Sequence, residues 1–518
     1  MNVAAPVIGS AGSNINDILA WLHAEAPAAQ LSSDSRSVRT GDVFFAYPGD
    51  ASDGRKYIEQ AIANGARAVV YEAEGFDWND AWSVAHLAVP QLKKTAGPIA
   101  NAYYEQPDAG LFTVAVTGTN GKTSCTQWLG KALSRLGQPT AVIGTLGVGI
   151  YQRGNHAGFN ATGYTTPDAV ILQRALAQLR DRGARALAIE ASSIGIDQGR
   201  LNGMHVDVAL FTNFTRDHLD YHGDMAAYEA AKRALFDWPN LRHAVINLDD
   251  EMGLRLVKHL QTSRPSVGIT GYTVAGCSLP GIAVVSANDI RMQHGATTFR
   301  LDSDAGSAQV KTQLVGQFNV SNVLGIFGVL RAKSIAFKAS VDAIEGLTPV
   351  PGRMEQLGGQ DAPLMVIDYA HTPDALEKTL ASLRQVAQQR GGQLWCVFGC
   401  GGDRDPGKRP QMGAVAQAAD HVIVTSDNPR SEEPSAILAQ IVAGIDQSKL
   451  AKEALHVIED RAAAILWAGR HAAKNDVVLL AGKGHESYQE IKGKKLPFLD
   501  ADHAALALAA RATMKGMM

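Results

Sequence analysis

The stretch that most constrains this chain is Thr117-Gly118-Thr119-Asn120-Gly121-Lys122-Thr123-Ser124. Before it stands Phe112-Thr113-Val114-Ala115-Val116, a β-branched and apolar run that reads as a buried strand. After it, Trp128, Leu129, Ala132, Leu133 and Leu136 recur at helical spacing up to a stop at Gly137. Strand, glycine loop, Lys-Thr and helix together wrap phosphates. The glycines let backbone N–H groups turn inward, and the helix N-terminus adds partial positive charge. Lys122 would meet the β- and γ-phosphate charge, and Thr123 or Ser124 would offer a hydroxyl to Mg²⁺. The usual pattern asks for a glycine where Val116 stands, so this is a shorter variant. A plain glycine turn has no use for Lys and Thr at the helix start, and the loop reads as a nucleoside triphosphate site.

A chain of 518 residues should hold about three domains. Its net charge of -3 gives no sign of a nucleic-acid surface. Cys125, Cys277, Cys396 and Cys400 form no disulfide framework and suit a reducing cytoplasm. Cys396 and Cys400 read as buried strand residues rather than metal ligands, since no second Cys or His pair stands near. Met1 to Asn16 lacks the basic start and apolar core of a signal peptide, and no apolar run approaches the roughly 20 residues of a membrane span.

Short strands and helices alternate along the whole chain. Up to about residue 95, Ser33-Asp34-Ser35-Arg36 turns into the strand Val43-Phe44-Phe45-Ala46, and Tyr57 to Asn64 reads as a helix. Ser35 and Arg36 suit either a substrate phosphate or a capped turn with a surface arginine. From about 96 to 348 the strand–helix alternation implies a parallel sheet covered by helices, with ligands at the C-terminal strand ends. Glu190 directly ends the apolar strand Ala186 to Ile189, where it would reach Mg²⁺ on the phosphates or stand on the surface. The run Asn213 to His222 is dense in His and Asp. Hydrolytic zinc lacks a third ligand there, and a mixed Mg²⁺ and substrate site fits better. Behind it, a helix from Met225 to Phe236 carries Lys232, by itself a solvated charge. Asn319 or Asn322 would cap the helix opened by Gln317 or hydrogen-bond a base.

A Pro/Gly hinge at Val350-Pro351-Gly352-Arg353 starts the third segment, from about 349 to 518. Four polar clusters lie at its strand ends: Asp368 to His371, Gly401 to Asp405, Asp427 to Arg430 and Gly482 to Glu486. Four at one edge make a second ligand site, and arginines beside an acidic residue suit a zwitterion bearing carboxylates. Met412 to Ala419 reads as a helix, and the basic stretch Ile491 to Pro497 as an exposed turn.

Together these motifs resemble the Mur ligases, ATP-dependent amide-forming enzymes of peptidoglycan precursor synthesis, over nearly the whole chain. The resemblance implies an α/β fold in three domains: 1–95 for a UDP-sugar substrate, 96–348 as a central P-loop parallel-sheet ATPase domain, and 349–518 as a Rossmann-like domain for the amino acid. It implies ATP at Gly118 to Ser124, with Asn319, Arg353 and Asp368 on adenine, phosphate and ribose. Mg²⁺ in two sites would be held by Thr123, Glu190, His218 and Lys232. Lys232, in Tyr228-Glu229-Ala230-Ala231-Lys232, matches a lysine that the family carbamylates, which turns a cation into an anion that helps hold the metal. Lys122, Lys232 and His218 are the implied catalytic residues.

The implied small-molecule substrates are a UDP-muramoyl dipeptide and meso-diaminopimelate, in a cytoplasmic monomer with neither nucleic-acid nor membrane partners. Ser33, Ser35, Thr165, Thr166, Ser192, Gln198 and Arg200 match contacts to the first. Arg404, Asp427-Asn428-Pro429-Arg430, Gly482 and Glu486 resemble the site of the second. Arg430 is the specificity clue, because the motif differs in lysine-adding relatives and this arginine can pair with the extra carboxylate. The turn Gly49-Asp50-Ala51-Ser52 departs from the family pattern near the uridine. Rival readings are a lysine-adding homologue, a folylpolyglutamate synthase-like ligase and a P-loop switch or motor.

Overall fold

The computed structural model describes residues 14–49, 52–293, 296–451 and 453–515. The first thirteen residues of the stretch read for a targeting signal, and Asp50 and Ala51 of the departing turn, lie outside these. Apolar strands need cover on both faces, and the chain builds three layered α/β units to provide it. The first is a four-stranded parallel sheet in the order Leu31–Ser32, Val43–Ala46, Ala68–Glu72, Ala85–Val89. The helix Leu92–Tyr103, which spans the break expected at residue 95, buries Leu92, Ala96, Ile99 and Ala100 with this sheet's core.

The second unit holds an eleven-stranded sheet. Its parallel centre runs Gly268–Thr273, His243–Asn247, Val208–Phe211, Phe112–Thr117, Ala186–Glu190, Thr140–Gly144. The P-loop strand is therefore central, and Glu190 pairs in register with Val116. Lys122–Arg135 and Gln317–Ala332 cover one face, where Trp128, Leu129, Leu324 and Phe327 are buried, each such side chain contributing about 1.5–3 kcal/mol. The strand–helix alternation does not hold at the sheet's edges. There Ala283–Gln293 adds to Gly268–Thr273 in parallel and the antiparallel strands Ala296–Ser303 and Gly306–Thr312 continue that side, while Gly147–Gln152 and Asn155–His156 extend the other antiparallel. Tight turns suffice to connect antiparallel neighbours, so no helix intervenes.

The third sheet has Glu355–Gly358 antiparallel at its edge, then Leu364–Asp368, Val477–Ala481, Leu394–Phe398, His421–Val424 and Leu455–Val457 in parallel. Inserting the last strand between the first two gives a Rossmann-like sheet with helices on both faces. Two local readings are corrected. The helix expected from Met412 begins at Lys408 and ends at Ala416, because Pro410 is tolerated in a first turn. The basic stretch near Ile491 is no simple turn but a hairpin, Tyr488–Ile491 paired with Lys494–Pro497.

Candidate active site

The P-loop leaves the central strand with Gly118 at φ +144° and Gly121 at φ +89°. A Cβ on Gly118 would lie 1.9 Å from Thr212 Oγ1, so both the backbone angle and the space demand glycine. The loop is held from outside: Thr119 N–H donates to the Asn213 carbonyl at 2.8 Å, and Asn120 N–H to Asn213 Oδ1 at 3.0 Å. Lys122 Nζ bends back onto the carbonyls of Gly118 (2.8 Å) and Thr119 (2.7 Å). Withdrawal from water holds this ammonium below the usual lysine range, with Glu190 and Asp217 pulling it up and Arg353 pushing it down.

Thr123 Oγ1 donates to Glu190 Oε2 at 3.2 Å, and Glu190 also takes Thr145 N–H (2.8 Å) and Thr145 Oγ1 (3.0 Å). Glu190 is buried at the strand end, not a surface carboxylate. From the third domain, Arg353 Nη2 reaches Thr123 Oγ1 at 3.2 Å while its guanidinium lies 4.1 Å over the Tyr369 ring. Asp368 anchors the turn behind Arg353, accepting the N–H groups of Met354 (2.9 Å) and Ala370 (3.0 Å). Burial raises its carboxyl pKa, against Arg353 and these bonds.

On the P-loop's other flank, Lys232 is buried and donates to the Gly118 carbonyl at 2.9 Å, 4.4 Å over the Tyr228 ring. Burial drives its pKa well below the usual lysine value; Lys122 adds to this and Asp217 opposes it. It is thus no solvated charge. His218, at φ +53°, stands 3.5 Å from Asp217 and is pushed down to about 4, chiefly by desolvation against the pull of Asp217. His222 instead bonds Ser193 Oγ at 3.0 Å. Among the described residues no three His, Cys, Asp or Glu side chains meet as a ready metal cage. Thr123 with Glu190, and His218 with Lys232, form two separate donor groups. A hydroxyl and a carboxylate beside a phosphate loop suit Mg²⁺, whose remaining ligands are phosphates and waters.

Asn319 caps nothing: its helix starts at Gly316 without a side-chain cap, and its Nδ2 donates to the Val315 carbonyl at 2.8 Å. Asn322 lies against Gly121, whose added Cβ would come within 2.9 Å of its Oδ1. Ser124 is buried in the first turn of the P-loop helix.

A hydroxyl-rich network joins the first two domains. Ser33 Oγ and Tyr47 OH both donate to the Asp168 carboxylate at 2.6 Å. Thr165 Oγ1 pairs with Thr145 at 3.1 Å, and Thr166 Oγ1 with Ser192 Oγ at 2.9 Å and the Glu190 carbonyl at 2.7 Å. Arg200 bonds Gln198 Oε1 and the Thr166 carbonyl, both at 2.8 Å. Ser35 stands apart, bonded to Gln60 within the first domain (2.8 Å), and Arg36 is an exposed partner of the capping Asp34.

Between the second and third domains lies a cleft of about 410 Å³. Arg404, Asp427, Asn428, Arg430, Gly482 and Glu486 line one wall, and Arg216, Asp217, His218 and Asp220 the other. Pro429 is not in that lining, although it carries the turn. Two ion pairs cross the cleft, Arg216 to Asp405 at 3.7 Å and Arg404 to Asp220 at 3.9 Å, and His371, held below the usual histidine range by burial, stands 4.0 Å from Asp217. The sequence reading gave no role to Thr145 or Tyr228, and placed Asn213, Asp217 and His371 only within polar clusters, with no role of their own. The signal for Thr145 and Asn213 was position after a strand, shared with many plain turn residues, and Tyr228 lies inside the helix Met225–Arg233.

Three family models match in the same order as the three sheets: Mur ligase family, catalytic domain, over residues 28–104; Mur ligase middle domain, over 116–330; and Mur ligase, glutamate ligase domain, over 352–484. A UDP-N-acetylmuramoyl-L-alanyl-D-glutamate–2,6-diaminopimelate ligase from Janthinobacterium sp. (strain Marseille) is 69% identical, covering 95% of this chain and 97% of its own. The chain belongs to the Mur ligase family. The enzyme of the same name from Neisseria meningitidis serogroup B is 43% identical over 94% of this chain and 96% of its own. A solved structure bearing that name is 39% identical, with TM-score 0.64 over 93% of this chain and 95% of its own. Mycobacterium tuberculosis folylpolyglutamate synthase, solved with ADP and AMPPCP, shares the fold at 18% identity and TM-score 0.58, over 76% of this chain and 92% of its own. In this Mur ligase the P-loop, the hydroxyl network and the cleft meet around Thr123, Glu190 and Asp217.

Proposed function

We infer that this chain is an ATP-dependent amide ligase joining meso-diaminopimelate to the D-glutamate carboxylate of UDP-N-acetylmuramoyl-L-alanyl-D-glutamate, in peptidoglycan precursor synthesis. One observation carries the reading beyond the family. The wall facing the P-loop edge holds two arginines beside Asp427 and Glu486, a surface for an acceptor with two carboxylates and two ammonium groups. A lysine acceptor would leave one arginine unmatched. A switch or motor would leave that wall unused.

A D-glutamate carboxylate oxygen attacks the γ-phosphorus of ATP, and the bond to the ADP oxygen breaks, giving an acyl phosphate. Lys122, released from the Gly118 and Thr119 carbonyls, balances charge on the transferring phosphoryl group. Arg353 brings a second cation from the third domain to the same edge. The acceptor amine, having lost a proton, then attacks the acyl carbon and phosphate leaves. Asp427 and Glu486 hold the acceptor's ammonium group and Arg404 and Arg430 its carboxylates, which orients the amine. Closure of the third domain on the acceptor, across which Arg216 faces Asp405, excludes water that would hydrolyse the acyl phosphate. Thr123 and Glu190 would hold one Mg²⁺, and His218 with a carbamylated Lys232 a second. Mg²⁺ there supplies neutralisation of phosphate charge. Ser33, Ser35, Thr165, Thr166, Ser192, Gln198 and Arg200 would contact the UDP-muramoyl part, and Asn319 and Asp368 the nucleoside of ATP. All these residues come from one chain, consistent with a monomer. Four cysteines without disulfides are consistent with the cytoplasm.

The acyl phosphate is tested by labelling the D-glutamate carboxylate with ¹⁸O. One label should appear in the released phosphate, and unlabelled phosphate would exclude that intermediate.

A further inference from the structure

Behind the acceptor wall lies a buried cation to which no role has been given. Lys483 is 0% exposed and lies outside the cleft lining, yet its Nζ meets three oxygens: Glu486 Oε2 at 3.1 Å, Asn428 Oδ1 at 3.2 Å and the Tyr488 carbonyl at 2.7 Å. An ammonium has three N–H groups, so these use all of them. The network closes on itself. Asn428 Nδ2 donates to the same Glu486 Oε2 at 2.7 Å, and Asn428 Oδ1 also accepts the Glu490 N–H at 3.0 Å. The Asn428 amide therefore has one orientation, and Glu486 is held by Oε2, which leaves Oε1 for the cleft.

Charge explains why a lysine is required there. Glu486 and Asp427 stand in one wall, with Asp427 Oδ2 close enough to Gly482 that an added Cβ would come within 2.5 Å of it. Two carboxylates so placed repel each other and spread without a counter-charge. Two other buried cations nearby have carboxylates of their own, Arg461 on Asp500 at 2.7 Å and Arg409 on Glu432 at 2.8 Å. Lys483 is the buried cation that bonds Glu486 directly, at 3.1 Å. Its third bond, to Tyr488, fastens the start of the hairpin whose other contacts fix the arginine motif: Arg430 N–H donates to the Glu490 carbonyl at 2.9 Å, and Gln489 Nε2 to the Asp427 carbonyl at 2.7 Å.

We infer that Lys483 is a positioning residue for acceptor recognition: it fixes Glu486 and Asn428, and through Tyr488 the hairpin that backs Arg430, without touching the acceptor. This rests on the ligase reading above. The bonds that tie the third domain to the P-loop do not include it: they are Arg353 Nη2 to Thr123 Oγ1 at 3.2 Å and Asn120 Nδ2 to Asp374 Oδ2 at 3.5 Å.

The test is steady-state kinetics of full-length K483M and K483Q, each substrate varied in turn, with product identified by mass. Both variants should raise KM for diaminopimelate by about tenfold or more while kcat and KM for ATP stay within about threefold, as expected for a lost charged hydrogen-bond network. Should the apolar variant fail to fold, K483Q decides by the same criterion, since it keeps a polar head. Because the effect passes through Glu486, adding K483M to E486Q should raise KM by clearly less than it does in wild type. An unchanged KM for diaminopimelate, KM values for ATP and diaminopimelate that rise together, or full additivity with E486Q overturns the inference. A wild type that forms no diaminopimelate product overturns the ligase reading and this inference with it; a wild type that does, beside unaffected variants, overturns this inference alone.

Discussion

Arg353 Nη2 donates to Thr123 Oγ1 at 3.2 Å, joining the hinge of the third domain to the helix start of the P-loop across 230 residues of chain. The ATP site is thus complete only when the third domain is docked. Replacing Arg353 by Ala should cost roughly 1.5–3 kcal/mol, about ten- to a hundredfold in kcat/KM for ATP, with a smaller effect on KM for diaminopimelate. R353K should recover only part, because an ammonium cannot stack on Tyr369 as the guanidinium does. Equal losses for all three substrates would point to general misfolding instead.

Lys232 is buried with its pKa well below the usual lysine value, which leaves an amine able to add CO₂ near neutral pH. Native mass spectrometry should find an increment of one CO₂ that K232A lacks, and bicarbonate should raise activity in a CO₂-depleted preparation. K232A should lose at least about a hundredfold in kcat, as expected when a group acting on the transferring phosphate is removed. Intact wild-type activity with no such increment would sink the carbamate.

Arg430 holds a left-handed backbone (φ +52°), donates Nη1 to the Gly402 carbonyl at 2.6 Å and stands 3.7 Å from Glu490. R430M should therefore raise KM for diaminopimelate by roughly thirty- to a hundredfold, the equivalent of about 2–3 kcal/mol for a charged hydrogen bond, and narrow the preference over L-lysine. An unchanged preference would remove Arg430 as the specificity residue.

His485 is pushed down to about 3, first by burial and then by Arg353 and Lys483. Its folded pKa lies below the unfolded one, so between about pH 3 and 6.5 the unfolded chain binds a proton that the folded chain does not. Stability must fall as pH drops through that window, by up to about 2 kcal/mol from this group at pH 5. The thermal midpoint should decline more steeply from pH 7 to pH 5 in wild type than in H485N. Parallel declines would contradict the assignment.

What could be read from the residues was local and repetitive. Phe112 to Leu136 carries a strand period, a glycine loop and a helix period in one stretch, and the structure keeps all three. Glu190 was legible because it ends an apolar run. Arg216 and Asp405 were not, since single charges 189 positions apart leave no pattern to link them. The same holds for Lys483, whose burial depends on a hairpin that the lysines of Lys494–Pro497 disguise as a solvated turn. Asn319 shows the converse: a good capping residue type whose amide is drawn off to the Val315 carbonyl.

The account turns on phosphate transfer that depends on the acceptor. The most direct measurement is phosphate release with ATP, Mg²⁺ and UDP-N-acetylmuramoyl-L-alanyl-D-glutamate, comparing meso-diaminopimelate, L-lysine and no acceptor. Sustained release with diaminopimelate, and little with lysine or without acceptor, is the predicted result; equally fast release in the absence of any acceptor would contradict it.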